Sequence, residues 1–448
     1  MASAERLDRD ADPVSRDTIA AIATPAGRGG IGVIRVSGPK VFEISTRILG
    51  SLPAPRYAQL ARFRDARGEP IDEGLALYFP APHSYTGEAV LELHGHGGPV
   101  VLRTLLRACV AAGARLAEPG EFTRRAFLEG RLDLAQAEAV ADLIDASSEQ
   151  AARAALRSLS GEFSAAISRM ADQLVELRAL TEAMLDFPEE EVDAVHREDA
   201  STRLAAVARS LEEVLVKSRE GSLLRSGIHV VLAGRPNVGK SSLLNRLAGE
   251  ERAIVTPIAG TTRDALREPI QIEGVPLTLV DTAGLREASD EVEQLGVERA
   301  LRELAQADLV LLVEEAGKPA PPLAGLTAQA QRILVYNKLD LAPRFERPAG
   351  ALAVSAKTGE GLEELRAAIL AAAGWSSTGE SVFLARERHL RALEAARGHI
   401  AAARGELARW EFFAEELRLA HAALGGITGE FTADDLLGQI FGRFCIGK

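Results

Sequence analysis

A chain of 448 residues, 47% hydrophobic, has the apolar content to bury two or three separate cores. Its net charge of −12 gives no long-range pull toward nucleic acid, so any RNA contact needs a local basic patch or a partner. Two cysteines make no disulfide framework, no run approaches the roughly 18 apolar residues of a membrane span, and the polar start MASAERLDRDADPVSRD lacks a signal-peptide core. A cytoplasmic protein is expected, without a membrane contact. The last four residues, Cys445-Ile446-Gly447-Lys448, match a prenylation box only superficially, since Gly447 and a terminal lysine suit one poorly.

In chain order, residues 1–16 read as a polar extension. Residues 17–130 mix short β-like runs (TIAAIATPA, IGVIRVSG, GLALYFPAP, AVLELHG) with the helix-like VVLRTLLRACVAAG, which predicts an α/β or α+β domain. Within it Gly27 to Gly32, GRGGIG, satisfies GxGxxG. That motif should open a helix, but IGVIRVSG reads as a strand, so it is a decoy. His94 and His96 could pair on a metal from one strand face, yet no third ligand lies near in sequence; glycine-rich backbone beside a flat ring is the better expectation.

From residue 131 to 226 glycine nearly vanishes and apolar residues recur at helical spacing. Strands then alternate with helices over 227–375, and helical texture returns over 376–448, ending in FCIGK. The expected fold class is multidomain, α/β plus α. A P-loop domain with a parallel sheet and flanking helices is inserted into an all-helical domain, and an α/β domain precedes both.

HVVLAGRPNVGKSSLLNRL is a β-run, a glycine loop and a helical run, with Gly234 to Ser241 matching GxxxxGK[ST]. Backbone N–H groups of such a loop cradle phosphates, Lys240 reaches their terminal oxygens, and the Ser241 hydroxyl can ligate Mg²⁺. The loop residues assigned to the nucleotide are Asn237, Val238, Gly239, Lys240, Ser241 and Ser242. Next come Thr256, Pro257, Ile258, Ala259, Gly260, Thr261 and Thr262, where a threonine can complete the Mg²⁺ shell. Asp281, which can hold that ion's water, opens the phosphate-sensing turn with Thr282, Ala283 and Gly284. Asn337, Lys338 and Asp340 of NKLD and Ser355, Ala356 and Lys357 of SAK complete the set. A carboxylate at Asp340 can accept from the guanine N1–H and amine, which adenine cannot offer; such polar matching discriminates by up to ~10⁴-fold. The expected base is guanine, and the substrate GTP. Only seven of the 52 basic residues are lysine, and Lys240, Lys338, Lys357 and Lys448 fall in these motifs or the tail, where a compact ammonium has a use.

GRPNVGKSSLLN, AIVTPIAGTTRD, DTAGLREASDEVE, NKLD, SAKTGEGL and the terminal FCIGK together resemble the bacterial tRNA-modification GTPase family MnmE (TrmE), over nearly the whole chain. The resemblance explains Leu285, which stands where many GTPases place a water-orienting glutamine. It implies a bound K⁺ in place of an arginine finger, ligated by the Asn237 side chain with oxygens of Thr256, Ile258 and Thr261; Mg²⁺ falls to Ser241 and Thr262. It also implies that Asn237 and Glu293 are catalytic, the latter orienting water. Without the resemblance, the acidic run Glu287, Asp290, Glu291, Glu293 would read as a solvated segment. For residues 17–130 it implies dimerisation and a tetrahydrofolate site at Arg35, Glu92, Arg131 and Lys448, taking 5,10-methylene-tetrahydrofolate as one-carbon donor or 5-formyl-tetrahydrofolate as analogue. Arginine and lysine suit folate carboxylates, and a carboxylate suits pterin N–H groups. Position 131 often carries lysine in the family; arginine keeps the charge and changes its geometry. The tail implies a catalytic candidate in Cys445, although a lone cysteine is more often an inert thiol. The implied partners are a second copy of the chain, a flavin-dependent (FAD) MnmG-type protein in a heterotetramer, and tRNA. The activity implied is modification of C5 of the wobble uridine with an aminomethyl or carboxymethylaminomethyl group. The alternative, a potassium-dependent ribosome-assembly GTPase switch, would share the G motifs but usually carries a basic RNA-binding module; a scaffold that never hydrolyses GTP would not need Glu293.

Overall fold

The computed structural model describes residues 17–186, 193–250, 267–281, 302–318, 331–376, 382–430, 434–442 and 444–447. They belong to two compact units, Met1–Glu138 with Gly429–Lys448, and Ala139–Thr428.

In the first unit the elements run β1 (Ile19–Ile22), β2 (Gly29–Ser37), α1 (Val41–Leu49), β3 (Gln59–Arg64), β4 (Pro70–Phe79), β5 (Val90–Gly97), α2 (Pro99–Ala111), β6 (Arg115–Leu116) and α3 (Glu121–Leu128). The sheet order is β3-β4-β5-β2-β1-β6, antiparallel except for β1 with β6. Strand alternation assigns the faces. Ile34 and Val36 of β2, with Leu91 and Leu93 of β5, are buried in one core with Ile44 and Ile48 of α1 and Leu102 and Leu105 of α2. Their sequence neighbours Arg35, Glu92 and His94 therefore stand on the opposite face. Three of the four GRGGIG glycines, Gly29, Gly30 and Gly32, lie in β2, and Gly27 sits in the bend before it at φ 134. A Cβ at Gly32 would stand 2.5 Å from Leu102 Cδ1, and one at Gly97 would stand 2.6 Å from the Gly29 carbonyl, so glycine here lets backbone and helix approach.

The second unit begins within α4 (Leu134–Ile144) and continues with α5 (Glu149–Leu159), α6 (Glu162–Asp186) and α7 (Asp193–Ser226). Then come β7 (Ile228–Ala233), α8 (Lys240–Glu250), β8 (Arg267–Ile272), β9 (Val275–Asp281), β10 (Leu309–Glu315), β11 (Gln331–Asn337), β12 (Leu352–Ala353) and α9 (Leu362–Ala372). Two helices follow, α10 (Glu387–Gly405) and α11 (Trp410–Thr428). The α/β block is thus inserted between α7 and α10. Its sheet order is β12-β11-β10-β7-β9-β8, parallel except for β8. β7, β9 and β10 are nearly continuous apolar runs because both faces of a parallel sheet are covered. β8 returns into β9 through Glu273 and Gly274, both at positive φ, the signature of a two-residue hairpin turn.

The long helices follow a seven-residue apolar repeat: Leu393, Ala396, Ile400, Ala403 on α10 and Phe413, Leu417, Ala420, Leu424, Ile427 on α11 are all buried. On α10 every other layer is alanine, Ala396 and Ala403, which supplies close approach; on α11 Ala420 does so between larger layers. α5 is capped by Ser148, whose side chain accepts from the Ala151 amide at 3.1 Å, and its Ala151, Ala154 and Ala155 stripe joins the core beneath the nucleotide-domain sheet. The chain leaving that domain is pinned on return: Arg157 donates to the Val382 carbonyl and Leu384 N–H donates to Ser158 Oγ at 3.2 Å. Gly221 permits this route, since a Cβ there would overlap the Phe383 carbonyl.

The tail belongs with the first unit. Phe441 of α12 (Asp434–Phe441) meets Phe127 with ring centroids 6.3 Å apart, Ile446 bridges to Pro119, and Gly447, at φ +98, lies against the Ile22 carbonyl. Among the described residues, no helix is long and apolar enough to cross a membrane.

Candidate functional site

The phosphate loop joins β7 to α8. Gly234 sits where a Cβ would fall 2.2 Å from the Val313 carbonyl, and Asn237 adopts a left-handed backbone at φ 64. The buried Lys240 ammonium donates to the carbonyls of Gly234 at 2.9 Å and Arg235 at 2.8 Å, so it lies inside the loop it is expected to serve. Ser241 Oγ donates to Asp281 Oδ2 at the end of β9. A hydroxyl beside a carboxylate is an oxygen pair of the kind Mg²⁺ takes directly or through water, so the residues present fit that ion.

The base loop follows β11. Buried Asn337 donates from Nδ2 to the carbonyls of Val238 (3.0 Å) and Gly239 (3.3 Å) and accepts at Oδ1 from the Ala356 amide (3.1 Å). Lys338, also left-handed at φ 66, donates to the Asn237 carbonyl at 2.6 Å. Ser355 Oγ donates to Asp340 Oδ1 at 2.7 Å and accepts from the Thr358 amide, which holds the carboxylate expected to read guanine. The structure therefore brings together Asn237, Val238, Gly239, Lys240, Ser241, Asp281, Asn337, Lys338, Asp340, Ser355 and Ala356. Thr256 to Thr262, Thr282 to Gly284, Leu285 and Glu293 lie outside the described residues.

In the first unit Arg35 and Glu92 are direct cross-strand partners, with Arg35 Nη2 2.8 Å and Nε 2.9 Å from Glu92 Oε1. The family resemblance implies separate ligand roles for the two, and the residues alone predict an ion pair for each; that they pair with one another is set by the β2–β5 register. Two aromatic rings escape the sequence reading: the Arg35 guanidinium stands 5.3 Å from the Tyr85 ring centre and 5.8 Å from that of Phe122. Thr123 fixes Tyr85 through a 2.8 Å hydroxyl contact. A flat face of aromatic rings and a charged edge suit a pterin-like ring. The Arg131 stem lies against the Gly87 turn of the loop that carries Tyr85, 3.4 Å from where a Cβ would stand. The signal available was the aromatic inside HSYTGE, a turn between strands. Lys448 lies outside the described residues.

His94 and His96 do not converge on a common point. His94 Nε2 is 3.2 Å from Glu92 Oε2, and His96 Nδ1 is 2.7 Å from Asp72 Oδ1. Burial pushes the Asp72 carboxyl up, but hydrogen bonds from the His96 amide and ring outweigh it and hold the group below the usual carboxylate range. Among the described residues no group of three or more histidine, cysteine and acidic side chains could hold a metal ion. The two thiols differ: burial pushes Cys109 up to about 12, which makes it inert, whereas Cys445 is exposed with its carbonyl 3.4 Å from the Gly120 amide.

A strand–loop–helix with a buried lysine, a serine–aspartate pair for a divalent ion and an Asn–Lys–Asp loop built for guanine make this a P-loop GTPase. Comparison with known proteins narrows the class. A family model described as "GTP-binding protein TrmE N-terminus" matches residues 18–131, and one described as "MnmE helical domain" matches residues 134–445. The chain is 60% identical over 447 residues to the tRNA modification GTPase MnmE of Azoarcus sp. (strain BH72), covering 97% of this chain and 99% of that protein. The proteins of that name from Thiobacillus denitrificans and Dechloromonas aromatica are 58% identical over 441 residues and 59% over 446, covering 97% and 96% of this chain and 99% of each relative. The chain belongs to the MnmE family.

Proposed function

We propose that this chain is a K⁺- and Mg²⁺-dependent GTPase that, with a flavin-carrying MnmG-type partner, modifies C5 of the wobble uridine of certain tRNAs. The observation that carries this reading is near-full-length likeness to proteins named tRNA modification GTPase. The nucleotide site supports it from the chemical side. Ser241 and Thr262 would hold Mg²⁺, with Asp281 accepting from a water of its shell. Asn237 would hold K⁺ together with oxygens of Thr256, Ile258 and Thr261; its carboxamide is a neutral oxygen donor on a loop fixed by Lys338, which fits a monovalent ion. Bound K⁺ would supply positive charge where negative charge develops on the transferred phosphoryl, the work an arginine finger does elsewhere. Glu293 orients the attacking water.

Residues 17–130 are proposed as the dimerising, tetrahydrofolate-binding domain, 131–226 and 376–448 as the helical domain, and 227–375 as the G domain. Arg35, Glu92, Arg131 and Lys448 would hold the folate. Tyr85 and Phe122 flank Arg35, which favours a planar ring beside it. Cys445 stays a candidate for the chemistry at the one-carbon unit. The acidic balance of the chain assigns much of the tRNA-binding surface to the partner.

Two experiments test this. Turnover of GTP by the full chain is expected to fall at least about tenfold when Na⁺ replaces K⁺ at constant ionic strength, and Asn237→Ala is expected to abolish the difference. Equal rates in both salts would remove the ion from the account. Separately, mass spectrometry of tRNA nucleosides from cells lacking the chain is expected to show loss of the aminomethyl-type wobble uridines; an unchanged spectrum would refute the modification.

A further inference from the structure

Glu315 belongs to none of the guanine-nucleotide motifs, yet it connects two of them. It ends β10 and stands opposite Asn337 in the β10–β11 ladder. Its Oε2 is 3.0 Å from Lys338 Nζ and its Oε1 is 2.7 Å from Lys318 Nζ. Hydrogen bonds from Lys318 and then Lys338 hold the Glu315 carboxyl below the usual carboxylate range, so it is an anion at neutral pH. Lys338 spends its other contact on the Asn237 carbonyl at 2.6 Å. Both residues joined by that ammonium are left-handed, Lys338 at φ 66 and Asn237 at φ 64. Asparagine tolerates this backbone readily; lysine adopts it only where its surroundings hold it there. The chain of contacts thus runs from a carboxylate on a rigid strand, through an ammonium, to the backbone of the asparagine that starts the tight part of the phosphate loop.

We propose that Glu315 is a positioning residue for the monovalent cation: by holding Lys338 on the Asn237 carbonyl, it presets the asparagine whose side chain the cation requires. The inference rests on the K⁺ reading above. A side chain's direction follows its backbone torsions, so an Asn237 carbonyl released from a fixed ammonium lets the carboxamide sample positions that do not serve the ion. The loop would then bind the cation less tightly, while its chemistry, once the ion is bound, would be preserved.

The test is GTP turnover by the full chain as a function of K⁺, with choline keeping ionic strength constant, together with the K⁺ dependence of its thermal midpoint with a non-hydrolysable GTP analogue bound, where the same shift in K⁺ concentration is expected. Glu315→Gln keeps shape and removes charge. It is expected to raise the K⁺ concentration for half-maximal rate about three- to tenfold, with the plateau rate within about twofold. Glu315→Asp keeps the charge and is expected to recover most of the shift. Lys318→Ala removes the other cation on Glu315, which does not contact Asn237, and is expected to leave half-activation where it was. A purely structural Glu315 would lower the melting temperature and the active fraction without moving half-activation. An ion-dependent unsubstituted chain with an unmoved Glu315→Gln overturns this inference alone. Equal shifts in Glu315→Gln and Lys318→Ala also overturn it. A chain indifferent to K⁺ overturns the K⁺ reading and this inference with it.

Discussion

Gly239→Ala is expected to weaken GDP and GTP binding at least about 100-fold. Gly239 has φ +91, and an added Cβ would stand 2.4 Å from Asn337 Nδ2. That neighbour cannot step aside cheaply, because Asn337 is buried and spends its carboxamide on Val238, Gly239 and Ala356. The left-handed backbone alone costs alanine about 1–2 kcal/mol. Each displaced hydrogen bond costs about 1 kcal/mol, and a buried amide left without a partner costs more. Together these reach roughly 3–4 kcal/mol, two to three decades in affinity. Titration with a fluorescent guanine nucleotide measures it. Gly249→Ala, in α8, is the control: nothing lies within 4 Å of its Cβ, so nucleotide affinity should hold while stability rises by about 0.5–1 kcal/mol. A Gly239→Ala protein within tenfold of normal affinity would mean that the base and phosphate loops are not joined through this contact.

The site was legible in the sequence to the extent that chemistry demands fixed residue types at fixed spacing. Lys240 and Ser241 come together in the loop that opens α8, as the P-loop motif requires, and Asn337, Asp340 and Ser355 come together at the loop after β11. The rarity of lysine was informative too: Lys240 donates to two carbonyls and Lys338 to a carbonyl and a carboxylate, geometries that suit a compact ammonium better than a planar guanidinium. GRGGIG opens no helix, because the strand alternation of IGVIRVSG, which follows it into β2, outweighs the motif. What could not be read were contacts between distant segments. Arg35 and Glu92 lie 57 positions apart; an ion pair could be expected for each, but not which partner it takes until β2 and β5 place them side by side. β3 has no clean alternation in QLARFR, because Leu60 faces outward and Phe63 inward on a strand at the sheet edge. The tail carries no local sign that Ile446 will bridge to Pro119; only the family resemblance pointed it toward the amino-terminal domain. Glu315 reads as the end of an apolar strand, and its partner Lys338 is brought to it by the parallel pairing of β10 with β11.

The largest expected effect on stability falls on a residue with no place in the GTPase chemistry. Asp142→Ala should lower the thermal midpoint of the unit that contains the nucleotide site by about 4–8 °C. Asp142 is buried near the end of α4 and takes Arg225 Nε at 3.0 Å and Arg386 Nη2 at 2.8 Å. Arg225 lies where α7 leads into β7, and Arg386 lies where the chain returns to α10, so one carboxylate ties the two strands of chain through which the inserted domain is attached. Its removal leaves two guanidiniums close together with the intervening anion gone. Breaking a fully buried pair this way costs about 3–5 kcal/mol. Arg225 is 39% exposed and water relieves part of the penalty, which brings the expectation to about 2–3 kcal/mol. Asp142→Asn keeps the volume and a carbonyl acceptor and should lose roughly half as much. The returning chain would still be held by Arg157 and Ser158, so nucleotide affinity should change less than about threefold even as the melt shifts. An unmoved midpoint would show that these two attachments hold the domain without help. A folded variant that loses nucleotide affinity would place Asp142 among the supports of the phosphate loop, a role its distance in sequence and its contacts give no reason to expect.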